Sequence, residues 1–253
     1  MTATNPFSLA GKTAIVTGAN TGIGQAIAVA MANAGARIVA VGRSPMDETA
    51  ALIGGDPSAF HSVRADLSRM DELPGVVDAA VAWAGTVDIL VNNAGIIRRN
   101  DALDFTEEDW DAVLDLNLKS VFFLSQAAAR HMIPRGSGKI VNVASLLSYQ
   151  GGIRIASYTS AKSGLAGLTR LLCNEWAGNG INVNAIAPGY TVTNNTQALR
   201  ADTERYKAIL DRIPAGRWAE PSEIAGAAVF LASPAADYIN GVALPVDGGW
   251  LAR

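Results

Sequence analysis

The stretch TGANTGIGQAIA, residues 17–28, places three glycines in the spacing G-x-x-x-G-x-G. It follows a short apolar run, TAIVT at 13–17, and opens a helical pattern. Gly18 would permit a tight turn, Gly22 would let the backbone approach a pyrophosphate, and Gly24 would allow close packing of the helix. A glycine-rich turn between a first strand and a first helix is typical of dinucleotide-binding folds, because the helix N-terminus supplies positive potential and free N–H groups.

Apolar runs recur downstream and alternate with helical patterns, the longest of which spans 106–132. The runs are RIVAV (37–41), VDILV (87–91), KIVNVA (139–144), INVNAIA (181–187) and VALPV (242–246). Continuous apolar strands between helices predict a parallel sheet covered on both faces, and right-handed crossovers make it doubly wound. We therefore predict an α/β fold with a single domain over 1–253. Residues 190–220 interrupt the alternation after a strand end, so they are predicted to form a lid over the ligand site.

The composition limits the partners and the compartment. The chain has 253 residues and a net charge of −3, with no block of like charges, so no nucleic-acid or anionic-membrane surface is expected. Cys173, His61 and His131 offer neither an internal disulfide nor the ligand spacing of a metal site. The N-terminal stretch 1–12 lacks the features of a signal peptide, and no apolar run reaches the ~18 residues of a membrane span. We expect a cytoplasmic, metal-free protein whose partners are small molecules or copies of itself.

Short polar motifs follow the next strands, at the edge of the sheet where parallel strands end. The second strand ends in VGRS, which lacks an acid for the ribose hydroxyls of NAD, and Arg43 there could pair with the 2′-phosphate of NADP. Asp66 could accept the adenine amino group, and NNAG at 92–95 would pass close to the cofactor, although both also suit ordinary turns. We expect NAD or NADP as cofactor, and Arg43 favours NADP.

A hydroxyl, a phenol and an ammonium come together in the following part of the chain. ASYTSAKSG at 156–164 sets Tyr158 four residues before Lys162, which places both on one face of a helix. The cation would favour the phenolate and lower the pKa of Tyr158 from about 10, toward the range of general acid–base catalysis. Ser145 ends the fifth strand, where a ligand on the glycine turn would present its reactive ring.

Taken together, these motifs resemble the short-chain dehydrogenase/reductase family. The resemblance rests on TGANTGIG, NNAG, Asn117 in LNLKS, Ser145, YTSAK and APG at 187–189, and it covers nearly the whole chain, from Leu9 to Arg253. It implies a Rossmann-like sheet of seven strands and a catalytic tetrad of Asn117, Ser145, Tyr158 and Lys162. It also implies a nicotinamide cofactor, for which the expected binding residues are Gly18, Asn20, Thr21, Gly22, Ile23, Gly24, Arg43, Asp66, Leu67, Asn92, Ala94, Gly95, Tyr158, Lys162, Pro188, Gly189, Thr191 and Thr193.

The same resemblance assigns a role to each member of the tetrad. Tyr158 donates a proton to a ketone during reduction and accepts one from an alcohol during oxidation. Lys162 lowers the pKa of Tyr158 and holds the nicotinamide ribose, while Ser145 hydrogen-bonds the substrate oxygen where negative charge develops. Asn117 binds a water that links Lys162 to solvent.

Stretches outside the shared motifs bear on the substrate. AGIIRR, SLLSYQGGIR, APGYTVTNNTQALR, RIPAGRW and VDGGWLAR resemble a bacterial group of the family that acts on deoxy and keto sugar acids and is mostly associated with NAD. A buried carboxylate needs a cation, and an arginine suits that task. The candidates for this cation are Arg98, Arg99, Arg154 and Arg217. We place Arg154 first and Arg98 second, with Gln150 and Asn194 as contacts to substrate hydroxyls.

Two other functions are compatible with parts of the sequence. A keto reductase such as a 3-oxoacyl-carrier-protein reductase shares the tetrad and has an apolar pocket, but the arginines after NNAG argue against it. A dinucleotide-sensing protein would bind the cofactor without turnover, and the complete tetrad argues against that.

Apolar positions on two helices predict self-association. Val121, Phe122, Leu165 and Leu168 exceed what one face of a sheet could cover. The family resemblance implies that these helices pair across a two-fold axis, and closed symmetry then predicts a homotetramer.

Overall fold

The computed structural model describes residues 5–253. The first four residues, which belong to the stretch in which we expect no signal peptide, lie outside the described residues. Within the described chain, seven parallel strands form one sheet in the order β3-β2-β1-β4-β5-β6-β7. The strands are β1 (Thr13–Thr17), β2 (Arg37–Gly42), β3 (Phe60–Arg64), β4 (Ile89–Asn92), β5 (Gly138–Val143), β6 (Ile181–Pro188) and β7 (Ala243–Val246).

Helices cover both faces of the sheet, as the alternating pattern predicts. They are α1 (Gly22–Asn33), α2 (Asp47–Leu52), α3 (Leu73–Ala84), α4 (Glu107–Leu114), α5 (Ser120–Met132), α6 (Ala156–Trp176), α7 (Gln197–Ala201), α8 (Thr203–Leu210) and α9 (Pro221–Ala232). One apolar core lies beneath α1 and α9, and a second lies beneath α3, α5 and α6. The doubly wound Rossmann-like fold is therefore confirmed. No helix within residues 5–253 is long and apolar enough to cross a membrane.

The strand β3 is absent from the apolar runs that the sequence shows. It lies at the edge of the sheet, and its side chains are partly buried or exposed, including His61 and Arg64. His61, Ser62 and Arg64 interrupt the apolar pattern of this strand, so a search for apolar runs misses it. The other edge strand, β7, keeps the apolar run VALPV and is found by the same search.

The strand order reverses between β1 and β4, which are neighbours at the centre of the sheet. The chain moves outward from β1 through β2 and β3, then returns and moves the other way from β4 to β7. In open α/β sheets, ligands bind beyond the carboxyl ends of the strands at such a reversal. The glycine turn after β1 and the NNAG segment after β4 meet at this point.

The predicted helix over 106–132 contains a wide turn. Thr106 caps α4, because its side chain accepts a hydrogen bond from the backbone N–H of Asp109. A π-helical turn, Asp115–Lys119, then separates α4 from α5, and the N–H of Ser120 reaches back to the carbonyl of Asp115. Single π turns within helices occur frequently at functional sites. Asn117 lies in this turn.

The segment predicted as a lid carries α7 and α8. Its two ends are joined by backbone hydrogen bonds from Val192 N to Ala219 O and from Ala219 N to Tyr190 O, both 2.9 Å long. A small apolar cluster ties the segment to the C-terminus and contains Leu146, Ile209, Ile213, Trp218 and Trp250. That the segment opens and closes over a ligand remains a prediction.

Candidate active site

A cavity of about 760 Å³ lies at the carboxyl edge of the sheet, beneath the lid segment. Most of the residues predicted from the sequence line it. They are Gly18, Asn20, Thr21, Gly22, Ile23, Gly24, Gly95, Arg99, Ser145, Gln150, Tyr158, Lys162, Pro188, Gly189, Thr191, Thr193 and Asn194. The residues that do not line it are Arg43, Asp66, Leu67, Asn92, Ala94, Arg98, Asn117, Arg154 and Arg217.

The glycine turn has the shape that a pyrophosphate requires. Gly18 and Gly22 have φ values of 64° and 58°, in the left-handed region that side chains disfavour. A Cβ on Gly24 would overlap the carbonyl of Gly18. The first turn of α1 holds no acid, and Thr21 makes no capping hydrogen bond. Free N–H groups at the start of α1 therefore suit a phosphate group.

Asn93 supports this turn, and the side chain of Asn92, which the sequence analysis assigns to the cofactor, does not reach the cavity. The side chain of Asn92 is 3% exposed and donates to Ser125 Oγ (3.0 Å) and Asn142 Oδ1 (2.9 Å) inside the protein. Asn93 lines the cavity instead and donates Nδ2 to the carbonyl of Thr17 at 2.8 Å. Successive side chains of a strand point to opposite faces, so neighbouring residues at a strand end differ in direction.

Two other predicted cofactor residues also lie outside the cavity. Leu67 is buried in the core beneath α3, where it packs among apolar side chains. Ala94 contributes its backbone N–H to Thr17 Oγ1 at 3.0 Å. Both residues shape the segments around the cavity without lining it, because their polar or apolar groups are used within the protein.

Arg43 and Asp66 lie next to each other at the ends of β2 and β3. Arg43 Nη1 is 3.8 Å from Asp66 Oδ2, and the Arg43 side chain is 67% exposed. Hydrogen bonds from Ser68, with help from the charge of Arg43, lower the pKa of Asp66. The exposed guanidinium is thus free to turn toward an added phosphate.

Ser145, Tyr158 and Lys162 meet in the cavity, but the electrostatics differ from the expectation. Lys162 is 4% exposed and donates Nζ to the carbonyl of Val143 at 2.7 Å. Burial lowers its pKa to about 8. Burial also raises the pKa of Tyr158, against the opposing effects of Ser145 and of the positive charge of Arg99. The expected lowering of the Tyr158 pKa by Lys162 is therefore wrong for this structure, because desolvation dominates and the ammonium is bound to the backbone.

Asn117 is fully buried and does not line the cavity. Its Oδ1 accepts from Ile96 N and its Nδ2 donates to Ile96 O, both at 2.9 Å. The side chain thereby fixes the backbone that follows NNAG. The role of Asn117 in a proton relay stays a prediction.

The arginines ranked first for the substrate carboxylate have acidic partners and do not line the cavity, so the structure does not support that ranking. Arg154 Nε lies 3.2 Å from Asp101 Oδ1, and Arg98 Nε lies 3.0 Å from Asp109 Oδ1. Arg217 forms two short hydrogen bonds to Glu223, which lower the pKa of that carboxyl to about 2. All three guanidiniums are neutralised by acids outside the cavity.

Three other arginines do line the cavity, namely Arg99, Arg205 and Arg212. Arg99 donates Nη2 to the carbonyl of Asn195 at 3.1 Å. None of the three joins an ion pair in the described part of the chain. The cavity lining contains no Asp or Glu among residues 5–253. The cavity is thus positively charged in a chain whose net charge is −3.

Four further residues line the cavity without belonging to any motif singled out in the sequence, namely Tyr190, Arg205, Arg212 and Trp250. The two arginines lie seven residues apart inside the predicted lid, a spacing that would place both on one side of a continuous helix. In the structure α8 ends at Leu210, before Arg212.

Comparisons with known proteins agree with this geometry. The family model described as enoyl-(acyl carrier protein) reductase matches residues 18–251. The chain is 59% identical over 248 residues to the 2-dehydro-3-deoxy-D-gluconate 5-dehydrogenase of Escherichia coli K12, which covers 98% of each chain.

Two solved structures share the whole architecture. A protein assigned as a 2-deoxy-D-gluconate 3-dehydrogenase from Agrobacterium tumefaciens, with bound NADP, is 58% identical with a TM-score of 0.93, over 99% of this chain and 100% of that one. A gluconate 5-dehydrogenase from Burkholderia cenocepacia J2315, in complex with NADP and tartrate, is 40% identical with a TM-score of 0.92, over 98% of each chain.

Proposed function

The chain belongs to the short-chain dehydrogenase/reductase family of NAD(P)-dependent oxidoreductases, and we propose that it interconverts a ketone and a secondary alcohol on a deoxy or keto sugar acid. The substrate class is that of 2-dehydro-3-deoxy-D-gluconate 5-dehydrogenase, the name of relatives that are 54% to 59% identical over 98% of this chain. Gluconate and its keto derivatives belong to the same chemical class.

One observation supports the proposal most strongly. The hydroxyls assigned to catalysis line a cavity that also contains arginines without acidic partners and, among the described residues, no Asp or Glu. Ser145 and Tyr158 line the same cavity as Arg99 within the described residues. A neutral fatty-acyl chain gains nothing from a guanidinium, whereas a sugar carboxylate needs one once water is excluded. The cavity therefore favours an acidic substrate over the 3-oxoacyl chain of a carrier-protein reductase.

The residues of the chain supply positioning, proton transfer and electrostatics. The nicotinamide ring, when bound, supplies or accepts the hydride. Tyr158 is neutral at pH 7, because burial raises its pKa, so its hydroxyl can donate a proton to a ketone oxygen. Ser145 Oγ, which accepts from Leu147 N at 3.2 Å, retains its own proton to hydrogen-bond the same oxygen. Lys162, nearly enclosed, holds its amine beside the Tyr158 ring.

Arg99 is the residue that we assign to the substrate carboxylate. It lines the same cavity as Tyr158, and its positive charge opposes the rise in the pKa of that phenol. Its hydrogen bond to Asn195 O uses one of five N–H donors and leaves others for a carboxylate. Gln150 and Asn194, which line the cavity, remain candidates for hydroxyl contacts.

NADP is the cofactor that the local chemistry favours. Arg43 is exposed at the end of β2, where a 2′-phosphate would lie. A guanidinium binds a phosphate with two parallel hydrogen bonds, whereas NAD offers only hydroxyls there. The relatives from Agrobacterium tumefaciens and Burkholderia cenocepacia were solved with NADP. Asp66 beside Arg43 is compatible with NAD as well, so both cofactors need to be assayed.

Self-association into a cytoplasmic homotetramer completes the proposal. Val121 and Leu165 are buried within one subunit, so they cannot contribute to a contact between subunits as expected. An apolar groove of about 480 Å³ between the α4–α5 segment and α6 offers other positions. It is lined by Leu114, Leu118, Phe122, Gly164, Gly167, Leu168 and Leu171, together with the ion-paired Asp115 and Lys119. Apolar faces of this kind pair across two-fold axes in closed oligomers.

A substrate panel tests the proposed function. NADPH and NADH should each be mixed with the enzyme and with 5-keto-D-gluconate, an uncharged ketone of similar size, and a 3-oxoacyl thioester, while absorbance of the reduced nicotinamide is followed. We expect the keto sugar acid to give the highest kcat/KM. A higher value for the thioester would replace the sugar-acid assignment with the keto-reductase function.

A further inference from the structure

Two arginines of the lid segment have no role in the catalysis proposed above. Arg205 lies on α8 and Arg212 lies just beyond its end, and both line the cavity. Although Arg212 is outside the helix, both side chains reach the same cavity. Neither forms an ion pair with any acid of residues 5–253. By contrast, Lys207 on the same helix pairs with Asp211 at 2.5 Å, and it does not line the cavity.

Arg212 is held in a defined orientation. Its guanidinium carbon lies 4.1 Å from the centre of the Trp250 ring. This stacking uses the flat face of the guanidinium and leaves its N–H edge available. Trp250 is itself 3% exposed and donates Nε1 to Gln150 Oε1 at 3.1 Å. The carbonyl of Arg212 also accepts a hydrogen bond from Arg253 Nε at 3.2 Å.

Tyr190 adds a hydroxyl to the same part of the cavity. The centroid of its ring lies 4.9 Å from the centroid of the Trp250 ring and 5.1 Å from that of the Trp218 ring. Burial raises the pKa of Tyr190, and the positive charges of Arg205 and Arg212 oppose that rise. Both guanidiniums therefore lie close enough to act on the phenol, which is neutral at pH 7 and can donate a hydrogen bond.

The lid arginines and Arg99 belong to different segments. Arg99 follows β4 and donates Nη2 to the carbonyl of Asn195 at 3.1 Å. Arg205 lies on α8, and Arg212 lies beyond its C-terminal end and stacks on Trp250. The cavity thus receives positive charge from two segments of the chain, one after β4 and one in the lid.

We propose that Tyr190, Arg205 and Arg212 form a second anion subsite, which takes a carboxylate at the end of the substrate opposite to the carboxylate held by Arg99. The inference rests on the proposed function and extends its substrate class from monocarboxylic to dicarboxylic sugar acids, that is, to hexaric acids and their keto derivatives, which would bind more tightly. The guanidiniums and the phenol offer hydrogen-bond donors to both oxygens of such a carboxylate. A monocarboxylic sugar acid would fill only one of the two positive positions.

Binding to the NADPH complex tests this subsite without turnover, because an alcohol cannot react with the reduced cofactor. D-glucarate and D-gluconate have the same carbon chain and differ at C6, which is a carboxylate in the first and a hydroxymethyl group in the second. Titration calorimetry on the enzyme saturated with NADPH should show D-glucarate binding at least about tenfold more tightly. Equal or weaker binding of D-glucarate would overturn the subsite.

Variants of the lid test whether Arg205 and Arg212 cause the tighter binding of D-glucarate. The double variant Arg205→Gln/Arg212→Gln should lose the preference for D-glucarate and keep its affinity for D-gluconate within about threefold, since a neutral amide loses the charge-assisted bond. The control Lys207→Gln should keep the preference. If the double variant weakens both ligands equally, the lid arginines bind the carboxylate that both ligands share, and the second subsite is refuted.

A parallel assay separates the two proposals. Reduction of 5-keto-D-gluconate by NADPH reports on the proposed function alone. No reduction by the wild type refutes that function, whereas intact reduction with no preference for D-glucarate refutes only the second subsite.

Discussion

Lys162 and Tyr158 lie one turn apart on α6, yet the ammonium is bound to the backbone. Nζ of Lys162 donates to Val143 O at 2.7 Å and lies 5.6 Å from the centre of the Tyr158 ring. The consequence is a buried cation whose pKa is lowered to about 8 beside a phenol whose pKa is raised. Above about pH 8 both side chains are therefore mostly neutral, because burial disfavours their charged forms.

The stability of the protein without cofactor should therefore depend on pH through Lys162. Lysine in an unfolded chain titrates near 10.4, so between about pH 8 and 10 the unfolded state binds more protons at this residue than the native state. The free energy of unfolding of the wild type should rise with pH in this range, relative to Lys162→Met, by up to about 1.4 kcal/mol per pH unit. The raised pKa of Tyr158 acts with the opposite sign, but only above its unfolded value of about 10.

Urea unfolding of wild type and Lys162→Met at pH 7.5, 8.5 and 9.5 measures this difference. Other titrating groups cancel in the comparison, because both proteins contain them. An unchanged difference across the three pH values would show that Lys162 is not a buried ammonium.

Loss of Arg99 should weaken substrate binding more than it slows the reaction. A charge-assisted contact made equally in the ground and transition states acts on KM. We expect Arg99→Gln to raise KM for a keto sugar acid at least about tenfold and to lower kcat less. The adjacent Arg98→Gln is a matched control, because Arg98 is bound to Asp109 outside the cavity. Steady-state kinetics in which the two variants behave alike would remove Arg99 from the substrate site.

Arg43 should decide between the cofactors. Replacing it with aspartate removes the phosphate partner and adds a like charge, so Arg43→Asp should weaken NADPH at least about tenfold more than NADH. Fluorescence titration of each reduced cofactor gives both dissociation constants on one protein. A parallel loss for both would mean that Arg43 does not contact the 2′ position.

The apolar groove beside α6 should control assembly. Leu171 is 48% exposed and lines this groove, so Leu171→Glu should fold normally while it places a charge in the contact. Light scattering should give the wild type a mass four times the chain mass of 26.3 kDa and give the variant a smaller one. Leu52→Glu, with a similarly exposed leucine on α2, is the control. A wild-type monomer would reject the oligomer.

Local pattern predicted the fold and the convergence of Ser145, Tyr158 and Lys162 on one cavity. The glycine turn is set by three residues within one short segment, and Tyr158 and Lys162 share a helix face, so both are visible in the spacing alone. Ser145 joins them because parallel strands end at a common edge.

Long-range pairing was not visible in the sequence. Arg154 and Arg98 were preferred as carboxylate ligands because they lie near the catalytic motifs along the chain, but their acidic partners lie on other segments. The sequence also does not show to which side a side chain at the end of a strand points. For this reason it does not distinguish Asn92, whose side chain bonds inside the protein, from Asn93, which lines the cavity. The sign of the Tyr158 pKa shift depends on burial, and burial is a property of the folded chain.

The most direct measurement of the central claim compares wild type with Tyr158→Phe in the NADPH-dependent reduction of 5-keto-D-gluconate. The variant lacks only the hydroxyl that donates the proton, so NADPH affinity should stay within about threefold while kcat falls at least about a hundredfold, the low end of general acid–base contributions. A variant that keeps more than about a tenth of wild-type turnover would contradict the assignment of Tyr158 as the proton donor.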